Sequence, residues 1–591
     1  MNHSQSSRRP AAGSAVPEGT WPAAQAVLPD PVAAATWCEA FQETVARCPG
    51  QVALRAAGGS ASISWEQYAG RVRRIAAGLA SLGVGRGDTV ALMMTNRPEF
   101  HLADTAAFHL GAAAFSVYNT FAPEQVRYVL ANAGSRVVVC ERQFAARLRE
   151  VADGTAVEYL VCVDGKPDGA LTLAELQARG DRGFGFEAAW RAVPPDAVLT
   201  LIYTSGTTGP PKGVELTHAQ VLAGVRAFDA VWPARPGDRA VSYLPMAHIA
   251  ERGFGHYRAM LAGTQLTTLA DPRQLPAALR DARPTMFAGV PRVWEKLKAA
   301  AETILAAQPG PAGGEEALSR VRAALGLDQV RAAFCGAAPI APEILGFLHQ
   351  LGIPVAEVWG MSECLLGTAN PPGAIRIGTV GPPLPGTEVR LAGDGELLLR
   401  GPAVMRGYHH DPAGTASAID PGGWLHTGDL AGIDPDGYVT ITGRKKELII
   451  TAAGKNISPA SIEGAVLAGC PLIAHAVAVG DRRPYITALI VLDPDTAAAF
   501  AARDGLAGRA PAALAAHPAI RAAVAVAVEA ANARLSRVEQ IKRHAILPVF
   551  WEPGGEEITP TMKLKRDPIT ARYAQVIDTL YTPAGQPAAR T

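Results

Sequence analysis

Apolar positions recur along this chain at two periods that alternate. Behind Ser64, the residues Tyr68, Val72, Ile75, Ala76, Leu79 and Leu82 return at the three-and-four spacing of an amphipathic helix. Ser64 with Gln67 three residues on reads as a capping box, and Gly83 as the stop. Residues 89–94 form a continuous apolar run that suits a buried strand; a helix is predicted from Pro98, a strand over 112–118, a helix from Pro123 and a strand over 137–140. Residues 198–203 repeat the strand pattern. Further on, a helix capped by Thr217 runs to about 228, and strands are predicted over 241–244, 330–334 and 355–358, with a Gly/Pro-rich loop at 308–314. Strands alternating with helices predict a doubly wound α/β fold with a largely parallel sheet.

The texture then changes twice. From 378 to about 442, short strands such as 388–391 and 396–400, separated by Gly-Asp and Gly-Pro turns, predict a small β subdomain. Past Gly443, Arg444, Lys445 and Lys446, residues 475–479 and 486–492 read as a β-hairpin, and 497–533 as an Ala-rich helical stretch. The predicted architecture is therefore a disordered leader over 1–30, a large N-terminal α/β domain over 31–444, and a smaller α+β C-terminal domain over 445–591. A length of 591 residues is too much for one core.

Composition narrows the classes. A net charge of +1, with 48% hydrophobic and 18% charged residues, gives no case for a nucleic-acid or strongly anionic partner. No apolar run reaches the roughly 18 residues that a spanning helix needs. The leader is rich in Ser, Arg, Pro, Ala and Gly without an apolar core, unlike a signal peptide. Seven cysteines, scattered and with no Cys-x-x-Cys, favour free thiols in a reducing cytoplasm over a disulfide frame or a zinc site.

The densest candidate chemistry lies at 204–213. Thr204, Ser205, Gly206, Thr207, Thr208, Gly209, Lys212 and Gly213 make a loop of little bulk whose backbone N–H groups can close round an anion. Lys212 adds a point charge, and Pro210 and Pro211 stiffen the approach to it. The spacing is not that of a Walker A loop. On composition alone, a Gly/Thr-rich surface loop remains an equal alternative.

The whole string from Tyr203 to Gly213 resembles the phosphate-binding loop of the acyl-adenylate-forming superfamily, and four further strings match that superfamily in order and spacing. The resemblance covers about residues 35 to 575 and implies the following roles. Gly336, Ala337, Ala338 and Pro339 lie against adenine. Trp359, Gly360, Met361, Ser362 and Glu363 follow an aromatic-Gly-x-Thr-Glu motif with Ser for Thr; the aromatic covers the purine, and Glu363 holds Mg²⁺, a cation that demands oxygen ligands. Gly360 and Ser362 also approach a hydrolase nucleophile elbow, but Cys364 stands where its closing glycine would be. Asp429 accepts the ribose hydroxyls and Arg444 lies near the ribose. Lys446 is the hinge, and Gly454, Lys455 and Asn456 form a swinging loop. Lys563 enters the active site from a C-terminal loop, with Thr561 and Met562 where many relatives have Ser-Gly, and Lys565 two residues on.

Residues 244–252 around His248, together with 284–296, resemble the bacterial long-chain fatty acyl-CoA synthetase branch. This implies catalysis by Thr204, Lys212, His248, Glu363 and Lys563, with ATP, Mg²⁺, coenzyme A and a fatty acid as partners. Glu251 and Arg252 stand where some relatives carry an aromatic gate to the acyl tunnel. Arg283, Arg292 and Lys296 read as solvated helix-end charges rather than CoA contacts. Two rival readings share the nucleotide motifs: an acyl-AMP ligase that loads a carrier protein, and an adenylate binder without catalysis. Peripheral membrane contact and a homodimer are left open.

Overall fold

The computed structural model describes residues 33–59, 62–204, 210–307, 314–452, 455–503, 508–559 and 562–582. The leader and residues 308–313 of the expected loop lie outside them.

The first helix of the alternating pattern, Trp65–Ser81, begins where its cap is built: Ser64 Oγ accepts the Gln67 N–H, and the Gln67 side chain accepts the Ser64 N–H. Its buried stripe holds Tyr68, Val72, Ile75 and Leu79, while Arg71, Arg73 and Arg74 face water. That stripe packs on an eight-stranded sheet. Five adjacent pairings in the sheet are parallel, linking Val198–Thr204, Ala113–Ser116, Thr89–Met93, Val137–Cys140, Tyr159–Cys162 and Leu171–Thr172 in that order. Alternate residues of the central strands feed two cores. Val90, Leu92, Val137 and Val139 pack with Leu79 and Phe100 on one face; Ala91, Met93, Val138 and Cys140 pack with Leu130 and Leu148 on the other. Helices on both faces explain why these strands read as unbroken apolar runs instead of alternating ones.

A second sheet orders Met286–Gly289, Ala332–Cys335 and Val355–Trp359 in parallel, with Thr368–Ala369 antiparallel at its edge. A third combines Arg239–Ser242, Gln265–Thr268, Val52–Ala56 and Ser62–Ser64. The β subdomain is an antiparallel sheet of Glu388–Leu391, Glu396–Arg400, Leu425–Ile433 and Val439–Arg444. The C-terminal part has its own three-stranded sheet, the expected hairpin of Ile473–Val479 and Ile486–Leu492 with Ile541–Ile546 parallel to the latter. Helices Pro459–Gly469 and Pro518–Asn532 cover one face of it. No helix among the described residues is long and apolar enough to cross a membrane. All seven cysteines are free and buried.

Three local expectations change. The strand expected over 241–244 is Arg239–Ser242, since Pro245 cannot extend it and the Leu244 N–H is taken by the Glu251 carboxyl. The helical stretch over 497–533 is three helices, Pro494–Arg503, Pro511–Ala516 and Pro518–Asn532, each opened by a proline that supplies no N–H to a preceding turn. Lys212 and Gly213 belong to a strand, Lys212–Thr217, paired antiparallel to Val198–Thr204, and not to the loop.

Candidate active site

Loops at the carboxyl ends of the two parallel sheets meet, the usual place for a ligand in an open α/β sheet. Thr204 ends the strand Val198–Thr204 and pairs with Lys212 across the hairpin. Its hydroxyl donates to the Lys212 carbonyl at 3.4 Å. Ser205, Gly206, Thr207, Thr208 and Gly209 lie outside the described residues. The Lys212 ammonium sits 4.6 Å from the centre of the Tyr408 ring and 3.6 Å from the Asp411 carboxylate. The Tyr408 hydroxyl in turn donates to Glu363 Oε1 at 2.8 Å. Lys212 and Glu363 are thus separated by a single side chain, which the sequence reading did not single out.

Around the strand Val355–Trp359 the backbone is tight. A Cβ on Gly360 would lie 1.9 Å from the Leu365 carbonyl oxygen, and one on Gly336 would lie 3.0 Å from that of Val358. The 336–339 turn therefore lies against the strand that carries Trp359. Ala337, Ala338 and Pro339 are exposed, and Met361 and Ser362 half-buried, so both segments present surface. Of six non-glycine residues with positive φ among the described residues, Ala337, Leu365, His410 and Met562 lie in or beside the candidate loops. Such strained backbone concentrates at functional sites.

Asp429 and Arg444 are cross-strand partners in the β subdomain. Arg444 Nε donates to Asp429 Oδ1 at 2.8 Å, and Trp359 Nε1 donates to Oδ2 at 2.9 Å. Burial raises the Asp429 pKa, with Arg444, Trp359 and Lys563 opposing it.

Lys563 arrives on a tight hairpin. The Thr559 N–H donates to the Lys563 carbonyl at 2.8 Å, the Lys563 N–H donates to Thr559 Oγ1 at 2.9 Å, and the Lys565 N–H donates to the Glu557 carbonyl at 2.7 Å. Lys565 spends its ammonium on the Gly555 carbonyl at 2.8 Å. Lys563 instead stands within electrostatic reach of Asp429, Glu363, Glu447, Arg444 and His248. Its side chain meets the solvent of the cleft, yet protein surrounds it so closely that burial is the main force lowering its pKa, followed by Arg444. His248 Nδ1 accepts the Ala250 N–H at 3.2 Å, capping a short helical turn. Burial, with the charge of Lys563, pushes its pKa down to about 3, so the imidazole is neutral and carries its proton on Nε2.

Lys446 is exposed in the turn Lys445–Glu447. Before it, Lys445 pairs with Glu396 of the β subdomain at 3.0 Å; after it, Glu447 pairs with Arg566 of the C-terminal part at 3.1 Å. The two anchorages part at Lys446. Lys455, in the expected swinging loop, is bound to Thr451, and Gly454 lies outside the described residues.

Other charges hold the two parts together. Arg292 joins Glu295 at 2.8 Å and also Asp493, and Lys296 meets Asp495 at 3.1 Å. Arg534 pairs with Glu343. Arg292 and Lys296 therefore form interdomain ion pairs; the largely buried Arg292 corrects its reading as a solvated charge, whereas Lys296 stays exposed, and Arg283 pairs with Asp328 at the surface. Glu251 and Arg252 are buried. Arg252 is bound by Asp104, by Ser116 at 3.2 Å and by the Tyr257 hydroxyl at 2.9 Å, inside a π-helix, Arg252–Tyr257, that the periodicity did not predict.

Among the described residues no group of three or more His, Cys, Asp or Glu side chains is arranged to hold a metal ion. A single carboxylate nonetheless suits Mg²⁺, which takes one or two carboxylates and fills its shell with water and substrate phosphates. Glu363 fits that role, since Tyr408 engages only Oε1.

The model of the AMP-binding enzyme family matches residues 41–409, and that of the AMP-binding enzyme C-terminal domain matches 446–585. The chain belongs to the AMP-binding enzyme family. Within it, this AMP-binding enzyme is 50% identical over 450 residues to fadD11 of Mycobacterium tuberculosis, covering 70% of this chain and 79% of that one. It is 36% identical over 566 residues to the long-chain-fatty-acid–CoA ligase FadD15 of Mycobacterium bovis, covering 88% and 92%. It therefore stands in the long-chain fatty acyl-CoA synthetase branch. The fold is that of the A domain of carboxylic acid reductase from Segniliparus rugosus, with a TM-score of 0.76, 19% identity, and coverage of 92% of this chain and 94% of that one.

Proposed function

We propose that this AMP-binding enzyme joins a long-chain fatty acid to AMP with release of pyrophosphate, then passes the acyl group to the thiol of coenzyme A with release of AMP. The observation that carries the reading is the convergence of Lys563 with Asp429, Glu363 and His248 in one cleft, beside Lys212.

A carboxylate is a poor acyl donor because its leaving group would be oxide. When it attacks the α-phosphorus of ATP, a carbon-bound oxygen forms the new P–O bond and pyrophosphate departs. The barrier is mainly repulsion between anions, so catalysis is positioning and neutralisation of charge. Thr204 and Lys212 hold the β- and γ-phosphates, and Asp429 accepts the ribose hydroxyls with its carboxylate fixed by Trp359 and Arg444. The 336–339 turn and Trp359 take the adenine. Lys563 neutralises the charge shared by the carboxylate and the α-phosphate, and His248 offers Nε2–H to the same oxygens. Glu363 would hold Mg²⁺, which when bound would supply further neutralisation of the phosphates. The thiol step needs another surface in the cleft, and rotation about Lys446 withdraws Lys563 and supplies it.

The test is fatty-acid-dependent exchange of labelled pyrophosphate into ATP, followed by AMP release with CoA present. The reading predicts both with long-chain acids. No exchange at any chain length would refute it, and an acyl-AMP that persists with CoA but discharges onto a carrier protein would replace CoA as acceptor.

A further inference from the structure

We propose that Tyr408 is the positioning residue that couples the two charge-neutralising groups of the phosphate site, its ring seating the Lys212 ammonium and its hydroxyl orienting the Glu363 carboxylate. The inference rests on the nucleotide reading above and deepens it.

The phenol has two faces of different chemistry, and both are in use. The aromatic face lies 4.6 Å from Lys212 Nζ, within cation–π range, while the hydroxyl reaches Glu363 Oε1 at 2.8 Å. Tyr408 itself is held by main-chain ties. The strand Gly407–Tyr408 pairs antiparallel with Lys212–Thr217, setting Tyr408 opposite Val214, and the Tyr408 N–H donates to Thr415 Oγ1 at 2.8 Å. Just upstream, the Met405 N–H donates to the Glu363 carbonyl at 2.7 Å. One short segment thus grips the strand bearing Lys212 and the backbone of Glu363. Asp411, 3.6 Å from Lys212, is the competing anion, and the ring keeps the ammonium shared between the two instead of collapsed onto the carboxylate. A donor on Oε1 fixes the plane of the carboxylate and directs Oε2 as the oxygen for a cation, the arrangement by which outer hydrogen bonds tune a metal ligand.

The test uses the full chain and calorimetric binding of α,β-methylene-ATP, a non-reacting analogue, over a range of Mg²⁺ concentrations including none. Tyr408→Phe keeps the ring and loses the hydroxyl. It is expected to leave metal-free analogue affinity within twofold of wild type while raising the Mg²⁺ midpoint about tenfold or more. Tyr408→Leu loses both and is expected to weaken metal-free affinity about two- to fivefold in addition. An unmoved Mg²⁺ midpoint in the Phe variant would overturn the proposal, as would a Leu variant indistinguishable from Phe. The Phe variant preserves shape, so it decides the hydroxyl's role even if the Leu variant fails to fold. Wild-type protein that bound no analogue would remove the nucleotide reading together with this proposal; wild-type binding with an unmoved Phe variant would remove the proposal alone.

Discussion

The Asp429 carboxylate sits where burial alone would favour its neutral form, and it is kept available as an acceptor by three cationic or N–H groups: Arg444, the Trp359 indole and Lys563. The indole hydrogen bond is charge-assisted, a class worth about 1.5–3 kcal/mol. Trp359→Phe retains an aromatic for the purine but leaves Oδ2 unpaired. The expected result is a KM for ATP about tenfold higher with a smaller change in kcat, read from initial rates at saturating fatty acid. Motif spacing marked Trp359 and Asp429 as separate elements of a nucleotide site. It could not show that they bond each other, because the strands that bring them together come from different sheets. Tyr408 escaped for the same reason, lying in no string that carried the resemblance. The resemblance assigned the role to Lys563 with Lys565 only two residues away; the hairpin ties Lys565 to its own backbone and leaves Lys563 among the charges of the cleft.

At the scale of elements, what was legible was local. Capping boxes at Ser64 and Thr217 act over three residues, and both helices start as expected. Continuous apolar runs marked the parallel strands because helices cover both faces. The strand Lys212–Thr217 was not legible, since a Gly/Pro-rich run looks like a loop until hairpin closure and the Gly407–Tyr408 edge strand pair it. The hairpin that bears Lys563 docks by another close approach. Gly554 has φ +84°, and a Cβ there would lie 2.3 Å from Thr120 Cβ on the N-terminal domain. Gly554→Ala is expected to slow acyl-AMP formation tenfold or more while sparing thioester formation from supplied acyl-AMP. Thr120→Gly in the same chain should restore the part of the loss that comes from the clash, leaving the part that comes from the left-handed backbone. Single-turnover rates of the two halves read this; equal slowing of both would place the defect in folding and not in docking.

For the whole molecule, ion pairs help to fix the orientation of the C-terminal domain. Arg292 with Asp493, Lys296 with Asp495 and Arg534 with Glu343 bridge the two parts; the last two pairs are exposed and weaken with salt, while the first is largely buried. Arg292→Ala is expected to slow adenylation several-fold, with thioester formation unchanged. Acid stability is set elsewhere. Burial pushes His109 and His475 down to about 4 and His218 to about 3, from an ordinary 6.5. The unfolded chain therefore binds protons that the folded chain refuses as pH falls below 6.5, and stability declines toward pH 4. Glu251 and Glu357, raised to about 7 by burial, act in the opposite sense between 4.5 and 7, but fewer groups do so. A thermal unfolding midpoint lower at pH 5 than at pH 7 is the expected outcome.

Lys563 is expected to serve the first chemical step only. The direct measurement is the pair of single-turnover rates of Lys563→Ala, one for acyl-AMP formation from fatty acid and ATP, the other for thioester formation from supplied acyl-AMP and CoA. The predicted result is loss of the first by about a hundredfold or more, the scale of one preorganised electrostatic group, with the second largely intact. Loss of both in equal measure, or of neither, would contradict it.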